Sequence, residues 1–138
     1  MSSERAPTTI LVVEDEAIVR DCLVAELQDV GYHVAAADTG EKALTVLQDQ
    51  ARNIDWLFTD IRLPGVIDGW RVADEFRLTH PFRPVVYATA YAPEQASQQL
   101  HGSYFFRKPY HPAQIVAAFR RLSADLQLRA SPVETSVF

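Results

Sequence analysis

Cysteine is nearly absent: Cys22 stands alone among 138 residues. A single thiol can close no intrachain disulfide and build no cysteine-based zinc site. Long apolar runs are missing as well, so nothing reads as a membrane span. The stretch Met1-Ser2-Ser3-Glu4-Arg5-Ala6-Pro7 has no apolar stretch of the kind a signal peptide needs. An excess of positive charge is lacking: 13 Lys and Arg face 18 Asp and Glu, for a net charge of −5. That balance argues against direct nucleic-acid binding, which normally carries a basic footprint. The pattern Gly-x-x-x-x-Gly-Lys does not occur, which excludes a P-loop nucleotide site. His33, His80, His101 and His111 are scattered without metal-ligand spacing, and loop or surface roles suit them. What remains is the expectation of a reduced, cytoplasmic, soluble protein with neither membrane nor nucleic acid as a direct partner. The length fits about one domain, large enough to bury a core without staples.

Short apolar runs are present instead. Ile10-Leu11-Val12-Val13, Trp56-Leu57-Phe58, Val85-Val86-Tyr87-Ala88 and Tyr104-Phe105-Phe106 are continuous and rich in β-branched or aromatic residues. Strands buried on both faces read this way. A weaker fifth run is His33-Val34-Ala35-Ala36-Ala37. Helical spacing lies between the runs. Residues 16–30 place Ile18, Val19, Cys22, Leu23, Leu27 and Val30 near one stripe, with Gly31 as a stop. On that stripe Cys22 reads as a small buried hydrophobe. Residues 39–50 carry Ala43, Leu44 and Leu47, and Asp38 with Glu41 resembles a capping box. Residues 69–79 carry Trp70, Ala73 and Phe76 behind Asp68 as N-cap. Residues 112–127 open on Pro112 and carry Ile115, Phe119, Leu122 and Leu126. Segment 93–100 offers only Ala96 and Leu100 to a core and reads as a short, loosely held helix. Strand and helix alternate through residues 9–127, which predicts an α/β, doubly wound, five-stranded parallel sheet in the order 2-1-3-4-5. Residues 1–8 read as a disordered N-terminus and 128–138 as a flexible C-terminal tail.

In such a sheet, ligands bind beyond the carboxyl ends of the strands. Glu14, Asp15 and Glu16 follow the first run, Asp60 the third, Thr89 the fourth and Lys108 the fifth. Singly, each has an ordinary explanation: acids at a helix start, a turn aspartate before Pro64, a solvated lysine. Together they put carboxylates, a hydroxyl and an ammonium at one place. Crowded carboxylates repel unless a cation joins them, and an all-oxygen donor set favours a hard ion such as Mg2+. The hydroxyl and the ammonium suit phosphoryl oxygens. The chemistry therefore reads as magnesium-dependent phosphoryl acceptance by Asp60. A flavodoxin-like cofactor site would need a Ser/Thr/Gly-rich phosphate loop after the first strand, where Glu14-Asp15-Glu16 would repel an anion.

The pieces Val12-Val13-Glu14-Asp15-Glu16, Thr59-Asp60-Ile61-Arg62-Leu63-Pro64, Ala88-Thr89-Ala90 and Arg107-Lys108-Pro109, in that order, resemble a response-regulator receiver domain of two-component signalling. The resemblance spans about residues 9–127. The stretch Tyr87-Ala88-Thr89-Ala90-Tyr91 resembles the Phe-Ala-Thr-Gly-Tyr signature of a subgroup of stand-alone receivers frequent in alphaproteobacteria, with Ala90 in place of Gly. The resemblance implies that Asp60 is phosphorylated. It also implies that Asp15 ligates Mg2+ directly, Glu14 does so through water, and the Arg62 backbone carbonyl completes the protein ligands. Thr89 and Lys108 would bind phosphoryl oxygens, and Lys108–Pro109 would be cis. Phe105 holds the place of the aromatic switch, although a buried aromatic there also suits an ordinary core. One departure is the spacing of Pro64 from Asp68-Gly69, one residue longer than expected. Arg62 and Tyr91 would flank the path of an attacking water, which suggests slow self-dephosphorylation.

The expected function is that of a single-domain response regulator. It would take its phosphoryl group from a histidine kinase or histidine phosphotransfer protein and signal through a downstream protein, with a homodimer through segment 93–100, the fifth strand and the last helix as one arrangement. A phosphate sink and a non-phosphorylated docking module remain open alternatives. Only about ten residues follow the last helix, too few for a DNA-binding output domain. The domain would be a phosphoacceptor that promotes its own modification and its reversal, rather than an enzyme acting on other substrates.

Overall fold

The computed structural model describes residues 7–90 and 103–130, with backbone alone for 126–130. Five strands, β1 (Thr9–Val13), β2 (His33–Ala37), β3 (Trp56–Asp60), β4 (Val86–Thr89) and β5 (Tyr104–Arg107), form one sheet in the order β2-β1-β3-β4-β5. Every pair is parallel, as the alternation of strand and helix predicts. Four helices among the described residues cover it: α1 (Ala17–Asp29), α2 (Gly40–Gln50), α3 (Gly69–Thr79) and α4 (Pro112–Ala130). Segment 93–100 lies outside the described residues.

The continuous apolar runs are explained by the alternation of side chains along a strand. Ile10 and Val12 of β1 join Trp56 and Phe58 of β3 against Leu23 and Leu27 of α1 and Ile115 and Phe119 of α4. Leu11 and Val13 join Leu57 and Tyr87 against Ala43 and Leu47 of α2 and Val72 and Phe76 of α3. Each residue of β1 from Ile10 to Val13 is thus fully buried, on one face or the other. Burying such a side chain contributes about 1.5–3 kcal/mol.

Several local expectations are corrected. Cys22 is exposed, and Ile18 is 80% exposed. Successive helix residues turn by about 100°, and α1 is rotated to bury Leu23 and Leu27, with Val24 packed beside them. The stripe through Ile18 and Cys22 is thereby turned to solvent, as is Val30 just past the helix end. The N-cap of α2 is Thr39, whose hydroxyl accepts from the Lys42 N–H at 3.1 Å, not Asp38. Asp38 pairs with the Lys42 ammonium at 3.1 Å, and Glu41 is engaged elsewhere, as described below. Asp68 does cap α3, accepting from the Arg71 N–H at 3.0 Å. Strands β3 and β4 run on to include Asp60 and Thr89, so both lie in the sheet rather than after it. Helix α4 continues three residues past 127.

Candidate functional site

The parallel register puts the strand ends side by side. Val13 pairs with Thr59, Asp60 with Ala88, and Thr89 with Arg107. One residue further on, the Lys108 N–H donates to the Thr89 carbonyl at 2.8 Å. Glu14, Asp60, Thr89 and Lys108 therefore share the carboxyl edge of the sheet. The Lys108–Pro109 bond is cis.

Asp60 is nearly enclosed, its side chain 2% exposed. The Lys108 ammonium lies 3.1 Å from both of its carboxylate oxygens and hydrogen-bonds Oδ2. Oδ1 is buried and accepts no hydrogen bond of good geometry. The same ammonium donates to Glu14 Oε2 at 3.3 Å and lies 3.8 Å from Glu16 Oε1. Oxygens of Glu14, Asp15 and Asp60 all fall within 4.8 Å of one another. Glu14 is fully buried, whereas Asp15 is exposed beside it.

The buried carboxylates of Glu14 and Asp60 share one nearby ammonium, and the excess negative charge shows in the titration of these two groups. Burial, then the hydrogen bond and charge of Glu14, push the Asp60 carboxyl up to about 9 against the pull of Lys108. Burial also pushes Glu14 upward. It is outweighed by hydrogen bonds from the Asp60 carboxyl and the Glu16 N–H, by Lys108 and by Tyr110, so Glu14 lies below the usual carboxylate value. Burial and the neighbouring Glu14 carboxylate thus favour the neutral form of Asp60 as long as no further positive charge joins the cluster. Burial opposes the charge on Lys108, but Asp60 and Glu14 overcome it and raise the ammonium above its ordinary value. An all-oxygen donor set, a buried Asp60 oxygen that accepts no well-formed hydrogen bond and a cluster short of positive charge all fit Mg2+.

The loop after Asp60 is fixed at both ends. The Ile61 N–H donates to the Ala88 carbonyl at 2.9 Å, and Gly69 N–H to the Ile61 carbonyl at 2.7 Å. A Cβ on Gly69 would strike the Asp60 carbonyl, so only glycine lets α3 start this close to β3. Gly65 takes φ +87°, and its neighbour Val66 donates its N–H to Glu41 at 3.2 Å. This contact engages Glu41, and it anchors the extra residue of the loop on α2. Arg62 is exposed at the start of that loop. Tyr91 lies outside the described residues.

Phe105 is half-buried on β5 and stacks on Tyr87, with ring centroids 4.9 Å apart and planes 8° from parallel. Trp70 leans on both rings, at 4.7 Å from Tyr87 and 6.2 Å from Phe105. Arg77 donates to the Tyr87 hydroxyl at 3.3 Å and to Ser103 Oγ at 3.1 Å. Sequence reasoning missed this network, and it missed Tyr110, whose hydroxyl donates to Glu14 Oε1 at 3.1 Å. A hydroxyl-bearing aromatic two residues after the strand-end lysine was the available signal for Tyr110. For Tyr87 the signal was a phenol in an otherwise apolar strand, since a buried Tyr hydroxyl usually finds a partner.

Comparison with known proteins agrees with this geometry. The response regulator receiver domain matches residues 10–120. A probable transcriptional regulatory protein of Picosynechococcus is 32% identical over 93% of this chain and 54% of its own length. The chain thus spans about half the length of that relative. Among solved structures, a response regulator receiver protein of Sinorhizobium medicae superposes with a TM-score of 0.77 at 38% identity, covering 84% of this chain and 94% of that one. The response regulator TrrA of Thermotoga maritima, solved in complex with Mg2+-BeF, gives 0.69 at 30% identity over 83% and 98%. Helices of the described residues include none long and apolar enough to cross a membrane. By sequence and by fold, the chain belongs to the response regulator receiver domain family of two-component signalling.

Proposed function

We propose that Asp60 accepts a phosphoryl group, in a Mg2+-dependent reaction, from the phosphohistidine of a histidine kinase or a histidine phosphotransfer protein. The observation that carries this reading is the buried Asp60 carboxylate with the Lys108 ammonium 3.1 Å from both oxygens and two further carboxylates within 4.8 Å. Glu14, Asp15, Asp60 and the Arg62 carbonyl would hold the ion, which supplies positive charge against the carboxylates and the incoming phosphoryl oxygens. Asp60 attacks as the carboxylate, so its carboxyl proton passes to solvent when the site is loaded. An Asp60 oxygen forms a bond to phosphorus as the bond to the histidine nitrogen breaks, giving an acyl phosphate and a neutral histidine. Lys108 and the Thr89 hydroxyl receive the phosphoryl oxygens. The domain is both acceptor and catalyst of its own modification. Its output is a protein contact, read at the stacked rings of Tyr87 on β4 and Phe105 on β5, in a reduced cytoplasmic setting that suits a lone exposed cysteine. Acetyl phosphate with Mg2+ should add one phosphoryl group to the wild type, labile to hydroxylamine, and none to Asp60→Asn. Equal labelling of the variant would overturn the assignment.

A further inference from the structure

Glu14 is the most deeply buried acid of the cleft, with no exposed surface. A buried carboxylate must be met by donors on its oxygens, or it is costly to keep. Lys108 and the Glu16 N–H approach Oε2, at 3.3 and 3.1 Å. Tyr110 approaches Oε1 from the opposite side, at 3.1 Å. Its own ring is held by an edge contact with Phe58, centroids 5.5 Å apart, in the core between the sheet and the α1 and α4 helices. The phenol therefore reaches the carboxylate from a fixed platform rather than from a flexible stem.

We infer that Tyr110 is a positioning residue for the cation site: it anchors Glu14 Oε1 at the back of the cleft and keeps Oε2 turned toward Lys108 and Asp60. The inference deepens the magnesium-dependent reading above and rests on it. Without the hydroxyl, Glu14 Oε1 loses this donor and the carboxylate is held from the Oε2 side alone, by Lys108 and the Glu16 N–H. The oxygen cluster would then have to be ordered by the cation itself, and affinity falls. Outer partners of metal ligands commonly cost tenfold or more in affinity when removed. Glu14 is at most a water-mediated ligand in this scheme, so a smaller effect is expected here.

Tyr110→Phe removes one oxygen and keeps the ring against Phe58. Mg2+ binding by calorimetry should weaken about 3- to 10-fold. The spin-resonance spectrum of bound Mn2+ should broaden relative to wild type, because the cluster is less ordered. The route through Glu14 is tested by repeating the substitution in Glu14→Gln. There it should change the Mg2+ Kd less than about twofold, since the anchored carboxylate is already gone. Equal Kd values for wild type and Tyr110→Phe would overturn the inference while leaving Mg2+ binding intact. So would an equal loss in both backgrounds, which would mean that Tyr110 acts by another route. Absence of Mg2+ binding to the wild type at millimolar concentration would overturn both this inference and the reading beneath it.

Discussion

Two aspartates five residues apart frame β3 and live under opposite rules. Asp55, just before the strand, has its needs met. Its Oδ2 accepts from the Thr9 N–H at 2.8 Å, its own N–H donates to the Thr9 carbonyl at 2.8 Å, and Arg83 lies 3.8 Å from Oδ1. Its side chain is 36% exposed, so water completes the shell. Asp60, at the other end, is buried beside a second buried carboxyl, and one of its oxygens accepts no well-formed hydrogen bond. The first aspartate ties β1 to β3. The second is held in a place it would leave if it could, by backbone that Gly69 allows to close over it. An acid made comfortable by its surroundings reads as structural, whereas one kept short of positive charge reads as a site waiting for a cation.

The largest effect should come from adding that cation. Mg2+ bound by the native state alone raises stability by about 2.7 kcal/mol at a hundred times its Kd. Thermal melts with EDTA and with millimolar Mg2+ should show the rise in wild type and in Asp55→Asn. Asp15→Ala should lose most of it. A rise that survives Asp15→Ala would place the ion elsewhere and break the contrast between the two ends.

The Asp60 half of this contrast was legible in the sequence, whereas the role of Asp55 was not. Continuous apolar runs could only be strands buried on two faces, and that topology sends Asp60, Thr89 and Lys108 to one edge whatever the side-chain details. Relations set by rotation were not legible. Cys22 and Leu23 are neighbours in sequence, and nothing local says which of their two stripes α1 turns inward. Thr39 rather than Asp38 caps α2, and Glu41, the other half of the expected box, accepts instead from Val66 in a loop 25 residues away. The reach of Tyr110 to Glu14 spans 96 residues and depends on a ring orientation fixed by Phe58. The Arg77 bridge likewise joins α3 to Tyr87 of β4 and to Ser103, just before β5, through one flexible side chain.

A middle-sized effect should have opposite signs at the two ends. In EDTA, Asp60→Asn should stabilise the protein by about 1–3 kcal/mol. The amide can donate to Glu14 as the protonated carboxyl does and accept from Lys108, without a charge that burial opposes. The pH dependence follows. The folded carboxyl titrates at about 9, above its unfolded value of 3.8, so the folded state keeps a proton that the unfolded state has released. Wild-type stability from this group is full below about 4 and is lost as pH rises toward about 9, and the advantage of Asp60→Asn widens across that interval. Asp55→Asn keeps an oxygen for the Thr9 N–H and loses only a half-exposed ion pair, a cost of about 0.5 kcal/mol. Denaturant midpoints in EDTA at several pH values would measure both. A lower midpoint for Asp60→Asn would mean that its bond to Lys108 outweighs the crowding.

The smallest effect tests whether the two ends are independent. Arg83 donates to the Asp55 carbonyl at 2.7 Å and lies over the Trp56 ring, 5.2 Å from its centroid. Trp56 in turn packs against Phe119 of α4, with centroids 6.5 Å apart. Arg83→Ala gives up one hydrogen bond, a half-exposed cation–π contact and the loose ion pair with Asp55, about 1 kcal/mol together. Arg83→Lys should recover only part of it, because an ammonium keeps the charge but not the flat guanidinium that can bond and stack at once. Strand β3 joins this corner to Asp60, yet its five residues are packed on both faces and leave the far end no second arrangement to adopt. The Kd for Mg2+ in Arg83→Ala should therefore match wild type within about twofold while the midpoint drops. A clear change in Kd would show that β3 transmits strain along its length and couples the Asp55 corner to the site.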